Sequence, residues 1–77
     1  MRFILKGKVY NLTREEVEAK MEKIEPEPAR KYFIIVNGKE YPPKQVLAET
    51  LGLGRVEFTT MDATDILRRL GFRLEQV

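Results

Sequence analysis

The spacing of apolar positions changes several times along the chain, and each change marks an element. Phe3, Ile4 and Leu5 form one short apolar run and Val9, Tyr10 and Leu12 another, with Lys6-Gly7-Lys8 between them. Gly7 can supply the positive φ of a tight turn, so residues 3–12 are predicted to form a β-hairpin. Thr13-Arg14-Glu15-Glu16 follows. The Thr13 hydroxyl can accept from the Glu16 amide while the Glu16 carboxylate reaches back to the Thr13 amide, a capping box that starts a helix. Leu12 before the cap and Val17 at the fourth helical position are placed as a hydrophobic staple. Val17, Met21 and Ile24 then recur at helical spacing, so one narrow face is apolar and the helix ends near Ile24, ahead of Pro26 and Pro28. Glu15, Glu16, Glu18, Glu22 and Glu25 with Lys20 and Lys23 give a mixed, solvated face, including Glu16 and Lys20 four residues apart.

Pro26-Glu27-Pro28-Ala29 is a stiff connector and not a domain boundary, because two prolines fix two φ angles. Tyr32-Phe33-Ile34-Ile35-Val36 has no polar alternation and predicts a central strand covered on both faces. Asn37-Gly38 predicts a type I′ hairpin turn. The return strand, Lys39 to Tyr41, is kept to a sheet edge by Pro42 and Pro43, which cannot donate to a ladder. Pro43 suits the first position of a helix whose apolar face is Val46, Leu47, Thr50 and Leu51, with Gly52 past its end and Leu53 folding back. Arg55-Val56-Glu57-Phe58 alternates, which reads as a one-bridge strand or an extended loop. Either Thr59 or Thr60 caps the last helix, Thr59 having Asp62 three residues on. Ala63, Ile66, Leu67 and Leu70 form its apolar stripe, Gly71 closes it, and Phe72 to Glu75 is a final short strand. The order ββαββααβ predicts a single α+β domain over residues 1–77, with three short helices covering a small, largely antiparallel sheet.

Composition narrows the chemistry. A chain of 77 residues can bury one core. It contains no Cys, His, Ser or Trp, which removes thiol nucleophiles, disulfides, the usual general base and the commonest metal ligands. Only Thr, Lys, Tyr and carboxylates remain for reactive chemistry, and no nucleophile, base and orienting group can be assembled from them. The expectation is therefore a non-enzyme with no cofactor, no bound metal and no small-molecule substrate. Fourteen Lys and Arg against twelve Asp and Glu give a net charge of +2. Residues 1–28 are balanced, six against six, and residues 29–77 carry eight basic and six acidic groups. A phosphate-bearing partner would meet that second part. No apolar run is long enough for a membrane span or a signal peptide, so a cytoplasmic protein without a membrane partner is expected. Richness in Lys and Glu, the absence of Cys and rigid proline connectors suit a heat-stable protein.

The spacing Tyr32, Val36, Gly38, Tyr41, Pro42, Lys44, Val46, followed by Phe58, Thr59, Ala63, Leu67, Leu70, Gly71 and Phe72, resembles the N-terminal head domain of McrA-type HNH restriction endonucleases that cut modified DNA. There a strand-turn-strand ending in Tyr-x-x-Lys precedes a helix, and an aromatic-hydroxyl pair precedes a helix ending in Leu-Gly-Phe. Leu12-Thr-Arg-Glu-Glu-Val17 looks like that family's first helix, so the resemblance covers about residues 12–75. The chain also looks like small stand-alone uncharacterised proteins with a similar hairpin in front. No HNH or sulfur-binding segment is present, so the resemblance implies an accessory module associated with nucleic acid and carries over no nuclease activity.

Six residues are singled out as candidate nucleic-acid contacts: Lys39, Tyr41, Lys44, Arg55, Arg68 and Arg69. Lys44 sits in the first turn of a helix, where the dipole disfavours a cation. It is either a phosphate grip or a solvated lysine lying over Tyr41. Arg68 and Arg69, with Arg55 and Arg73, either form a basic face for backbone phosphates or complement the C-terminal dipole of the last helix. Tyr41 and Tyr32 can stack on unpaired bases, although a strand Tyr more often buries its ring. Asp62 and Asp65 are read as helix-dipole partners in preference to a cation site. A standard helix-turn-helix does not fit the spacing, because some eight residues separate Leu51 from Thr60 where that motif allows three or four, which leaves only a variant with an inserted wing-like strand. The expected partner is thus DNA or RNA, and the alternative is a protein-interaction adaptor or homodimer that pairs through the N-terminal hairpin edge or the aromatic surface.

Overall fold

A computed structural model describes residues 1–77. The chain runs β1 (Arg2–Leu5), β2 (Lys8–Asn11), α1 (Arg14–Met21), β3 (Tyr32–Val36), β4 (Lys39–Tyr41), α2 (Pro43–Leu51), a 3₁₀ turn (Arg55–Glu57), α3 (Thr60–Arg69) and β5 (Leu74–Gln76). This is the α+β domain the pattern predicts, three helices with antiparallel strands. The strands form two sheets and not one: β1 pairs with β2 alone, and β3 lies between β4 and β5.

Both hairpins turn through residues at positive φ. Lys6 (51°) and Gly7 (80°) join β1 to β2, and Asn37 (53°) and Gly38 (77°) join β3 to β4, as a two-residue type I′ turn requires. The Thr13–Glu16 capping box closes with bonds of 2.9 and 3.1 Å. Its staple partners Leu12 and Val17 are both buried. Helix α1 stops at Met21, one turn before Ile24, and the 22–28 segment runs on without regular structure. Of the two possible caps for α3, Thr59 is the one used, in a box with Asp62. Helix α2 ends with Gly52 at φ 69° and with the Gly52 and Leu53 amides both donating to the Ala48 carbonyl, which stops the helix and turns Leu53 back.

Two further expectations fail. The alternation at Arg55–Phe58 predicts an extended segment, whereas the chain coils into a 3₁₀ turn held by the Glu57 carboxylate, which accepts from the Gly54 amide at 2.6 Å. Val56 is 96% exposed and only Phe58 reaches the core, so the apolar positions there do not share a face. Strand β3 was expected to be covered on both sides. Ile34 and Val36 are buried, but Phe33 and Ile35 on the opposite face are only half-buried. The three helices cover one side of the β4-β3-β5 sheet, with α2 packed between α1 and α3 and against β3.

One core of 16 buried residues joins both sheets and all three helices. Two polar side chains are built into its rim. Tyr41 is fully buried, and its hydroxyl donates to the Ile24 carbonyl at 2.7 Å, with the Met21 carbonyl 3.1 Å away. Gln45 is 2% exposed; its amide nitrogen donates to the Glu25 carbonyl at 2.8 Å and its Oε1 accepts from the Glu27 amide at 2.9 Å. These bonds satisfy backbone groups that the irregular connector leaves without partners. They fasten residues 21–27 to β4 and α2.

Candidate functional site

The fastened connector forms one wall of a cleft of about 610 Å³. Arg30 and Lys31 come from the end of the connector, Tyr32 from the start of β3, Lys44 from the first turn of α2, and Arg55 from the 3₁₀ turn. Glu27 supplies the one carboxylate among the lining residues, against four cations. Pro28, Pro42 and Pro43 also line it, so the backbone on two sides has its φ angles fixed by pyrrolidine rings.

Glu27 and Arg55 are joined fork to fork, with both guanidinium nitrogens 2.7 Å from the two carboxylate oxygens. The Arg55 hydrogen bonds hold the Glu27 carboxyl below the usual carboxylate range, and Glu27 in turn raises Arg55. Lys44 forms no ion pair; its ammonium lies 5.7 Å from the Phe58 ring centroid. Lys31 stands 5.8 Å from the centroid of Tyr32. Arg30 and Lys31 are exposed at the mouth. Helix α2 begins with Pro42 as its cap and no side chain bonded to its first amides, so the positive end of that helix faces the same side as Lys44. The arrangement can hold an anion against several donors from separate elements.

The structure divides the six candidates from the sequence. Lys44 and Arg55 meet in the cleft. Tyr41 does not reach the surface: its ring fills the core and its hydroxyl is spent on the connector, so it offers no face to a base. Lys39 lies 3.9 Å from Glu25, outside the cleft. Arg69 pairs with Asp65 at 3.5 Å and borders a different groove, between β1 and α3. Arg68 is exposed on α3 outside the cleft. Arg73 pairs with Glu75. The single basic face expected from the second half of the chain is therefore split, because α3 turns its arginines away from the start of α2.

Three residues of the site escaped the sequence reading. Arg30 and Lys31 stand next to each other directly after the proline connector, which gives them a fixed position beside Tyr32. Gln45 is an amide next to the apolar run Val46-Leu47-Ala48, a position at which a polar side chain must find buried partners. Asp62 and Asp65 are each engaged with a neighbour. Asp62 accepts from the Thr59 amide, which lowers its pKa, Asp65 faces Arg69, and no group of three or more His, Cys, Asp or Glu side chains gathers anywhere.

The molecule is thus a small α+β domain with a cationic, proline-walled cleft. The chain belongs to the SCO5918-like family, whose model matches residues 1–77. No curated protein and no solved structure matches it. No helix is long and apolar enough to cross a membrane.

Proposed function

We propose that this protein is a non-catalytic module that binds nucleic acid through its phosphates, with the cleft as the contact site. The supporting observation is the convergence of Arg30, Lys31, Lys44 and Arg55 from three separate segments on one concavity that holds a single carboxylate. A cleft lined by one sign of charge focuses its field and raises the local concentration of the opposite ion. The resemblance to McrA-type head domains points the same way. Of the residues first singled out, Lys44 and Arg55 carry the reading; Lys39, Arg68 and Arg69 give peripheral contacts at most.

The test is binding of a mixed panel of single- and double-stranded DNA and RNA, read by fluorescence anisotropy across a salt series. Affinity falls with a log–log slope of about −0.7 to −0.9 for each phosphate neutralised, so three free cations give a slope of roughly −2 to −3. Replacing Lys44 and Arg30 together by Ala lowers affinity for every member and flattens the slope. Absence of binding across the whole panel at low salt refutes the reading.

A second reading, a homodimer or adaptor, is favoured by the groove between β1 and α3. Leu5 and Lys8 flank the two-residue turn and form its hydrogen-bonded pair, so the Arg2 and Ile4 backbone groups point away from β2. Ile4 is 72% and Met61 77% exposed beside that free edge. Light scattering separates the two readings: a salt-independent dimer abolished by Ile4→Lys, with no affinity for nucleic acid, selects the second.

A further inference from the structure

The form of the cleft restricts which nucleic acid it suits. Reading a duplex through its major groove takes a projecting element, a helix or a two-stranded ribbon that enters a groove about 12 Å wide. Here the cations line a hollow of about 610 Å³, within the ~300–1,000 Å³ range of small-ligand sites. A duplex holds its phosphates on a stiff convex ridge and meets only the rim of such a hollow. A single strand bends freely at every nucleotide and can carry a phosphate inside.

Tyr32 supplies the other half of the match. It is half-buried in the cleft wall, and the Lys31 ammonium stands 5.8 Å from its ring centroid. The ammonium lies over the ring, so a base that stacks on Tyr32 displaces it from the ring face and leaves it beside the phosphate attached to that base. The backbone that carries the ring is held in place, since Tyr32 is the first residue of β3 and pairs with Gln76 of β5. From these features we infer that the cleft takes single-stranded nucleic acid, with a phosphate held among Arg30, Lys31 and Lys44 and a base laid on Tyr32. The inference rests on the phosphate-binding reading above and adds to it the kind of strand.

The experiment compares labelled oligothymidine, oligouridine and a blunt DNA duplex of equal length at about 50 and 200 mM salt. Oligothymidine or oligouridine binds at least about tenfold more tightly than the duplex, and the ratio of the two single strands identifies whether DNA or RNA is preferred. Tyr32→Phe keeps that preference, whereas Tyr32→Leu loses about tenfold in single-strand affinity with no change in the salt slope; far-UV circular dichroism checks that both variants are folded. Salt-dependent binding in which the duplex equals or exceeds the single strands overturns this inference and leaves the phosphate reading standing. Single-strand binding that is indifferent to Tyr32→Leu in a folded variant overturns the stacking contact. Failure of all three probes to bind removes the phosphate reading with it.

Discussion

Gln45 is the residue on which the cleft most depends, although it faces away from it. Its two bonds to the connector fix where Glu27 stands, and Glu27 fixes Arg55. Gln45→Leu keeps the volume but leaves the partly buried Glu27 amide and Glu25 carbonyl without their partner, at a cost of about 1–2 kcal/mol. Urea denaturation reads that loss, and weaker nucleic-acid binding accompanies it. Tyr41→Phe removes the hydroxyl alone and costs about 1 kcal/mol. Glu27 sets a pH dependence. Its carboxyl is held below the usual range in the folded protein by Arg55, so the stabilisation is complete above the unfolded carboxylate pKa of about 4 and fades as the pH falls through the lower folded value. Urea midpoints measured on acidification drop less steeply for Glu27→Gln than for the natural chain. The side chains of the pair are about half exposed, so the difference is small, up to about 1 kcal/mol.

Elements whose cause is local were legible in the sequence. The Asn37-Gly38 turn, the Thr13 capping box and the Gly52 helix stop all come from neighbouring residues, and all lie where the pattern put them. The same locality makes Thr59→Ala predictable: losing its bond to the Asp62 amide costs about 1 kcal/mol and lowers the melting temperature by several degrees. Lys6 is a case the sequence showed only in part. Gly7 was read as the turn residue, yet Lys6 also sits at φ 51°, a conformation that costs an L-residue about 1–2 kcal/mol. Lys6→Gly therefore raises stability, by up to about 1 kcal/mol once the added freedom of the unfolded chain is subtracted. The 3₁₀ turn was missed because alternation implies a strand only when the alternate residues share a buried face, and Val56 has none.

What the sequence could not reveal is what depends on distant partners. Two sheets replace one because β1 and β2 satisfy each other and leave β3 to recruit β5 from the far end of the chain. The basic surface divides for a similar reason, since the direction in which Arg69 points follows from how α3 packs and not from how many cations the second half holds. Arg30 and Lys31 are not evident from the sequence because their position depends on Tyr41 and Gln45, ten or more residues downstream. Arg14 shows the same long reach. Its guanidinium donates to the Gly71 carbonyl at 2.7 Å and lies 4.6 Å from the Phe72 ring centroid, joining α1 to the segment that leads into β5. Fastening of the 22–28 stretch by later side chains has a further consequence for digestion. A protease that nicks the chain at Lys23 reports on the release of β4 and the head of α2, and a ligand seated across the cleft slows that cut by clamping both jaws of the fastening at once.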